Sequence, residues 1–520
     1  MNDDAAEFLR IATDYQLGAL ETEGSHPFTV SLSQLAQDDL REAVRLTHLA
    51  DILALQKFAD LSAPLEALAT SIGQTLEAGR RVFLCGCGAT GRLSLSLEIF
   101  ARRGILPVAD PERIVAFMAG GDLALIKAIE AFEDHPEYGA RQLDCLGFAD
   151  GDLLISTTEG GETPFVIGAT ERAAEISSNP PWFLYCNPDT QLIATVERSR
   201  RVLANPHIRK YCLAVGPMAI TGSTRMQAST VLMAAVGFAF SHAQNPPAAT
   251  TEPLRLLTIA RTVTNQFLVP FILEEAAIYQ RGGHVLYESD RFGITVVTDT
   301  TERAPTFSLA PFENQTDPDQ PASWCHFIMP DQPDAIAAWR ALLGREPRTL
   351  NWPGIEAIAG TQALNGYDFS AGLLQHRLRR LGPEDHELFV IEGNGDSVRF
   401  HLGDHDSVLR LTGMTEFHRH LIVKMALNIH STLVMGRMGR YLDNLMTFVK
   451  PSNNKLIDRA ARYVQTLMER RTGRRPSYEK TVRALFEVKK TLKVGDPVVL
   501  RTLEKMLAEA TAPITLSVAS

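Results

Sequence analysis

At 520 residues the chain is longer than one hydrophobic core ordinarily supports, so two or three domains are expected. Its 45% hydrophobic and 22% charged residues are those of a globular protein, and a formal net charge of −10 leaves no broad basic surface to replace the counterions of nucleic acid. The opening MNDDAAEF lacks the basic-then-apolar order of a secretory signal. The longest apolar run, VLMAAVGFAF at 231–240, is too short to span a bilayer, so a cytoplasmic protein without membrane contact is expected. The six cysteines show no C-x-x-C spacing and read as reduced thiols; no metal and no cofactor are expected.

Residues 1–75 carry apolar positions at helical spacing through LREAVRLTHLADILALQKFADL, an N-terminal helical segment. RRVFLCGCGATGRLSLSLEIFARR then reads as a strand, a glycine turn and a long helix. RIVAFMAG, DLLIST, WFLYCN and YCLAVG alternate with helical stretches, which predicts a parallel sheet wrapped by helices over 76–250, with 241–254 as a linker or exposed connection. Over 251–450 the plan recurs more loosely. GHVLYESDRFGITVVTDTTERAPTF is again strand, glycine turn and helix, and CHFIMPD and LFVIEGN are later strands, so a diverged internal duplication is expected. Residues 451–520 read as a small helical module whose basic run, ERRTGRR at 469–475, is a solvated helix end and turn.

Gly86, Gly88 and Gly91 satisfy G-x-G-x-x-G between a strand and a helix, but the acid a dinucleotide site needs is not well placed: Asp110 precedes its strand. Thr157, Thr158 and Thr163, in STTEGGETP, make a second hydroxyl-bearing turn, and Ser223, Thr224 and Arg225, in TGSTRM, a third. Three polar turns at strand ends of one sheet suit a sugar phosphate, although for any single turn the glycines can serve tight packing alone. Glu159 and Glu162 interrupt the second turn. A unit-charge pair about 5 Å apart costs roughly 3 kcal/mol at an effective dielectric near 20. Either these carboxylates point away, or they pair with an arginine such as Arg92 or Arg225, or the ligand is not a phosphate.

His420, Lys424, Asn428 and Ser431 fall at i, i+4, i+8 and i+11, one polar stripe on an otherwise apolar helix. A buried lysine needs an anionic partner, which a phosphate or the acids of another domain can supply. The five histidines between His401 and His430 lack metal-ligand spacing.

GCGATGR, MAGGDLALIKAIEAFED, TPFVIGATE, GPMAITGSTRMQAST and MALNIHSTLVMGRMGRYLDNLMTFVKPSNNKL resemble the N-acetylmuramic acid 6-phosphate etherases and the related glucokinase regulatory proteins. The resemblance runs from ETEGSHPFTVSLSQL to about residue 465 and is thin between about 310 and 410. It implies an α/β chain of two flavodoxin-like sugar isomerase (SIS) domains forming an internal pseudo-dimer, with a further homodimer open. It also implies elimination of lactate from carbon 3 of an open-chain sugar phosphate after loss of the carbon 2 proton, followed by water addition. In the family one glutamate precedes Pro-Thr-Phe on the helix after the glycine turn. Glu98 sits two residues early, toward the opposite helix face, whereas Asp299-Thr-Thr-Glu302-Arg-Ala-Pro305-Thr-Phe fits, so Glu302 takes that role. The other family glutamate falls on Glu130, whose alternative is a solvated helix face beside Glu133 and Asp134. Lys424 corresponds to a ligand-contacting lysine. The chain departs from its relatives at Ala89-Thr90, where they have Thr-Ser, and at Glu159 and Glu162. A sugar-phosphate etherase is the leading expectation. The others are a non-catalytic phosphosugar sensor that binds a sugar kinase, an aldose–ketose isomerase in which His420 opens the ring, and an enzyme on an unphosphorylated sugar.

Overall fold

The strands of the first sheet are β1 (Val82–Gly86), β2 (Ile114–Met118), β3 (Leu153–Thr158), β4 (Trp182–Tyr185) and β5 (Arg209–Cys212), in a computed structural model. The structure describes residues 4–15, 17–129, 132–317, 319–382, 385–493 and 495–511. The spatial order is β2-β1-β3-β4-β5 with every pairing parallel, the flavodoxin-like order. The first four strands are buried at every position, as continuous apolar runs must be when helices cover both faces. β5 begins two residues before the expected YCLAVG run, because Arg209 and Lys210 extend it along the exposed edge.

The second sheet comprises β6 (His284–Glu288), β7 (Cys325–Ile328), β8 (His386–Asn394), β9 (Ser397–Leu402) and β10 (His405–Arg410), ordered β10-β9-β8-β6-β7. Its parallel part, β7-β6-β8, repeats the β2-β1-β3 arrangement of the first sheet. The two sheets differ in β9 and β10, which pair antiparallel as a meander and which the sequence reading above did not include, although SVRFHL of β9 alternates strictly. Chain length explains it: only residues 395–396 separate β8 from β9, and only 403–404 separate β9 from β10. Connections so short close hairpins, whereas a parallel crossover needs a dozen residues or more. Gly395 and Gly403, at φ 54° and 56°, supply the left-handed backbone of these turns.

The segment expected as a linker is structured. A 3-10 turn at Pro246–Thr251 leads into the Glu252–Thr262 helix, which packs on Leu40–Asp60, and the buried Glu252 carboxylate lies 3.1 Å from both His242 and His418. At the N-terminal side, the helices Asp4–Ile11, Leu32–Asp38, Leu40–Asp60 and Leu65–Glu77 are present; at the C-terminal side, Asn454–Thr472, Tyr478–Lys489 and Val498–Thr511. These two regions are tied together by Glu23, buried between Arg459 and Arg462.

Four helices make the seam between the sheets: Ala89–Arg102, Gln227–Ser241, Gly293–Phe307 and Glu416–Arg437. Apolar side chains of both units, among them Leu84, Val231, Val285 and Val423, belong to one continuous core. The seam is therefore packed hydrophobically, and polar groups placed in it are shielded from water. Among the described residues no single helix is long and apolar enough to cross a membrane.

Candidate functional site

At the first turn each glycine has a different reason. A Cβ at Gly86 would lie 2.3 Å from the Thr90 backbone, and one at Gly91 would lie 2.5 Å from Met118 Cβ on β2, so both serve close packing. Gly88, at φ 57°, has no atom within 4 Å of a built Cβ and fronts open space. The Thr90 hydroxyl is spent on the turn itself: it accepts from the Cys87 N–H at 3.0 Å and donates to the Cys87 carbonyl at 2.9 Å. Asp110 pairs with Arg113 at the surface, at 2.9 Å.

In the second turn, Thr157 donates to the Cys85 carbonyl at 3.3 Å, and the Thr158 and Thr163 hydroxyls lie 3.1 Å apart across the turn. The two glutamates differ sharply. Glu162 is ion-paired with Arg198 and, at 3.3 Å, with Lys455; burial pushes its carboxyl up, and the two cations outweigh that and bring it below the usual value. Its partners are thus neither Arg92 nor Arg225. Glu159 is buried with no hydrogen-bond partner for Oε1, and burial pushes it up to about 7. Lys455 also pairs with Glu133 at 2.9 Å. Three carboxylates therefore share two cations around this turn, an unfavourable setting for a phosphate dianion.

The seam has the opposite balance. A cavity of about 20 Å³, room for one water molecule, is bounded by Arg92, Arg225, Lys424, Asp299, Glu302 and Asn428. Arg92 reaches across from the first unit to Glu302 at 2.7 Å and donates to Thr301 at 3.2 Å, while its Nη2 is buried without an acceptor. Asp299 collects Arg225 at 3.1 Å, Asn428 at 2.9 Å, Ser431 at 2.9 Å and Arg303 at 3.1 Å. Burial raises its carboxyl, but Arg303 and Arg225 prevail and lower it. Lys424 donates to the Arg225 carbonyl at 3.0 Å, the Thr230 hydroxyl at 2.8 Å and Asn428 Oδ1 at 3.0 Å. It has neutral acceptors where an anion was expected, and burial, with Arg225 nearby, lowers it to about 8.

The remaining expected residues that the structure describes fall outside this cavity. Ser223 and Thr224 lie in the loop that delivers Arg225; Ser223 is buried, and its amide donates to the Ile220 carbonyl at 2.9 Å. His420 is sealed in the core between Phe100 and Phe292, at centroid distances of 4.4 and 4.7 Å, and contacts Thr295 at 2.8 Å; burial lowers it to about 3. It stands apart from both turns and from the cavity. Glu130 lies outside the described residues. Glu98 faces away from the seam cavity and binds Arg345 and Arg348, at 2.9 and 2.8 Å. Among the described residues no group of three or more His, Cys, Asp or Glu is placed to hold a metal ion. Sequence reading passed over Arg198 and Lys455. The PSNNKL block contains Lys455, and its place next to the second turn is fixed only by packing of the Asn454–Thr472 helix.

A groove of about 700 Å³ flanks the site. Lys127, Ala128 and Ile129, immediately before Glu130, line it together with Ala304 and Pro305, just after Glu302, and with Lys450–Ser452, leading to Lys455. Segments far apart in sequence that adjoin three candidate residues are thus brought to one opening.

Residues 65–174, from the Leu65–Glu77 helix through most of the helix after β3, match the family described as the glucokinase regulatory protein N-terminal SIS domain. The N-acetylmuramic acid 6-phosphate etherase of Synechococcus sp. (strain CC9902) is 32% identical over 221 residues, 41% of this chain and 62% of the relative. That of Rhodopirellula baltica is 31% identical over 223 residues, 41% of this chain and 66% of the relative. The chain thus spans just under two thirds of the length of these curated relatives. The C-terminal domain of glucosamine-fructose-6-phosphate aminotransferase from Francisella tularensis overlays with a TM-score of 0.36 at 9% identity, covering 75% of this chain and 97% of that one. Residues 65–174 are therefore similar to the N-terminal SIS domain of the glucokinase regulatory proteins, in a chain similar over 41% of its length to N-acetylmuramic acid 6-phosphate etherases.

Proposed function

We propose that the protein is a phosphosugar-binding tandem SIS protein that acts as a carbon–oxygen lyase on an N-acetylmuramic acid 6-phosphate-like amino sugar. The observation that carries this reading is the placement of Glu302. It is the family-type glutamate of the second unit, and it stands against Arg92 of the first unit's glycine-turn helix, 2.7 Å away, in a seam shared by both units. The kinship with etherases supports the reaction class.

In the open-chain sugar the carbon 1 aldehyde acidifies the carbon 2 hydrogen. Glu302 takes that proton, the C–H electron pair becomes the C2–C3 double bond, and the C3–O bond breaks. The departing oxygen takes a proton and leaves as lactate, and water then adds across the double bond. Acid and base must differ in proton affinity. Glu159, pushed up to about 7 by burial and within electrostatic reach of Glu302, suits proton donation near neutrality. Glu130 keeps the second proton-transfer role on the resemblance alone.

Release of D-lactate from N-acetylmuramic acid 6-phosphate by the purified chain tests the reading; absence of lactate at enzyme concentrations comparable to substrate would overturn it. A second reading, a phosphosugar sensor that passes its state to a sugar kinase, draws support from the regulatory-protein match and from a seam cavity with room for one water rather than for a sugar. Ligand-dependent capture of a sugar kinase, without lactate release, is its signature.

A further inference from the structure

The groove beside the seam is far larger than the lactyl group of the proposed substrate requires, and its charge is one-sided. Lys127, Lys450, Lys489 and Lys493 line it against a single acid, Asp496. None of the four ammonium groups has a carboxylate within ion-pair distance among the described residues. All four lysines are exposed, and Lys489 lies 5.4 Å over the Phe486 ring. Between them the floor is apolar, built from Pro305, Leu309 and Val449. At about 700 Å³ the space is within the range of small-molecule sites. Such a lining suits an occupant that combines anionic groups with an apolar stem.

Position supplies the connection to chemistry. Pro305, which lines the groove, follows Glu302 by three residues on one helix, while the Glu302 carboxylate lines the neighbouring seam cavity. Lys127, Ala128 and Ile129, which precede Glu130 in the sequence, also line the groove.

We propose that the groove receives the leaving side of the ether, and that the preferred substrate carries not a bare lactyl group but a lactyl group extended as a short acidic peptide. This rests on the lyase reading above. The lysines pair with the carboxylates of the extension, the apolar floor takes its aliphatic stem, and the C3–O bond is held at the mouth beside Glu302. The groove then sets substrate preference through groups that touch no reacting atom.

The test compares lactate release from N-acetylmuramic acid 6-phosphate with release of lactyl-L-alanyl-D-glutamate, whose leaving side carries two carboxylates rather than one, from N-acetylmuramyl-L-alanyl-D-glutamate 6-phosphate, using the full chain and the exposed-site variant Lys450→Glu/Lys493→Glu. The peptide ether is expected to show at least a tenfold higher kcat/KM, mainly through KM, and the variant should erase that preference by lowering kcat/KM for the peptide ether at least tenfold more than for the simple ether. Turnover of the simple ether with no reaction of the peptide ether, or an unchanged preference in the variant, overturns this assignment and leaves the lyase reading standing. No turnover of either ether overturns both. Because both lysines are exposed, loss of folding does not confound the variant, and an unchanged Tm verifies this.

Discussion

Arg92 and Glu302 lie 2.7 Å apart although they belong to different units, and both are almost wholly withdrawn from solvent. The pair joins the helix after the first glycine turn to the helix after the second, so it is at once part of the packing and part of the proposed chemistry. Replacing Glu302 by Gln keeps the shape and removes the proton acceptor. Lactate release should fall by about 10²–10⁴-fold, the usual contribution of a positioned base, with the loss in kcat rather than KM. A variant that kept more than a tenth of the parent kcat would remove Glu302 from the mechanism.

Glu159 makes stability depend on pH near neutrality. Its carboxyl is raised from 4.5 to about 7 by burial, with Glu302 and Glu133 adding to the rise and Lys455 opposing it. From about pH 4.5 to about pH 7 the folded chain retains a proton that the unfolded chain has released, so this group's contribution to stability declines as pH rises through that window. The decline is worth ~3 kcal/mol. Glu159→Gln, which mimics the protonated form, should match the parent in Tm near pH 4.5 and exceed it at pH 8. Parallel Tm–pH curves for the two proteins would count against this account.

Glu23 works in the other direction. Burial alone would raise its carboxyl, but Arg459 and Arg462 outweigh burial and hold it far below the ordinary value. A depressed folded-state value gives stability that is full above about pH 4.5 and is lost as pH falls below it. Glu23→Ala leaves two buried guanidinium groups without their shared partner and should cost about 3–5 kcal/mol. Chemical denaturation at pH 7 measures that cost, and acid titration of the parent should show the N-terminal segment detaching first.

Gly168 permits the Pro164–Ile176 helix to pack on Pro136–Cys145. A Cβ there would lie 2.0 Å from the Pro136 carbonyl oxygen, a backbone atom that cannot turn aside. Gly168→Ala should therefore destabilise by at least 1–3 kcal/mol, the usual cost of overpacking, despite alanine's better helix propensity. A variant as stable as the parent would mean that the two helices separate freely.

Much of the fold could be read from local patterning. Val82–Gly86, Leu153–Thr158 and His284–Glu288 are short apolar runs ended by polar or glycine-bearing turns, and the helix after Leu153–Thr158 opens with Thr163-Pro164. These are consequences of backbone geometry and burial acting over a few residues. β9 alternates strictly, with Val398, Phe400 and Leu402 buried, so its strand signal was local and legible, whereas β10 alternates weakly; the 241–254 stretch looked like a linker because Pro, Ala and Thr make up more than half of it.

The sequence by itself determined the turns, the polar stripe through Lys424 and the glutamate that suits the family motif. Tertiary structure alone decided which charges meet. Arg92 found Glu302, Glu162 found Arg198 and Lys455, Lys424 found only neutral acceptors, and His420 was sealed among aromatic rings. The physical reason is that ion pairing depends on distances of a few ångströms between residues up to hundreds of positions apart, which no local pattern encodes, whereas strand, turn and helix depend on neighbours along the chain. The acids of the second turn illustrate the division: their presence could be read from STTEGGETP, and their unlike fates, one paired and one left protonated near neutrality, follow from which cations the fold brought to them.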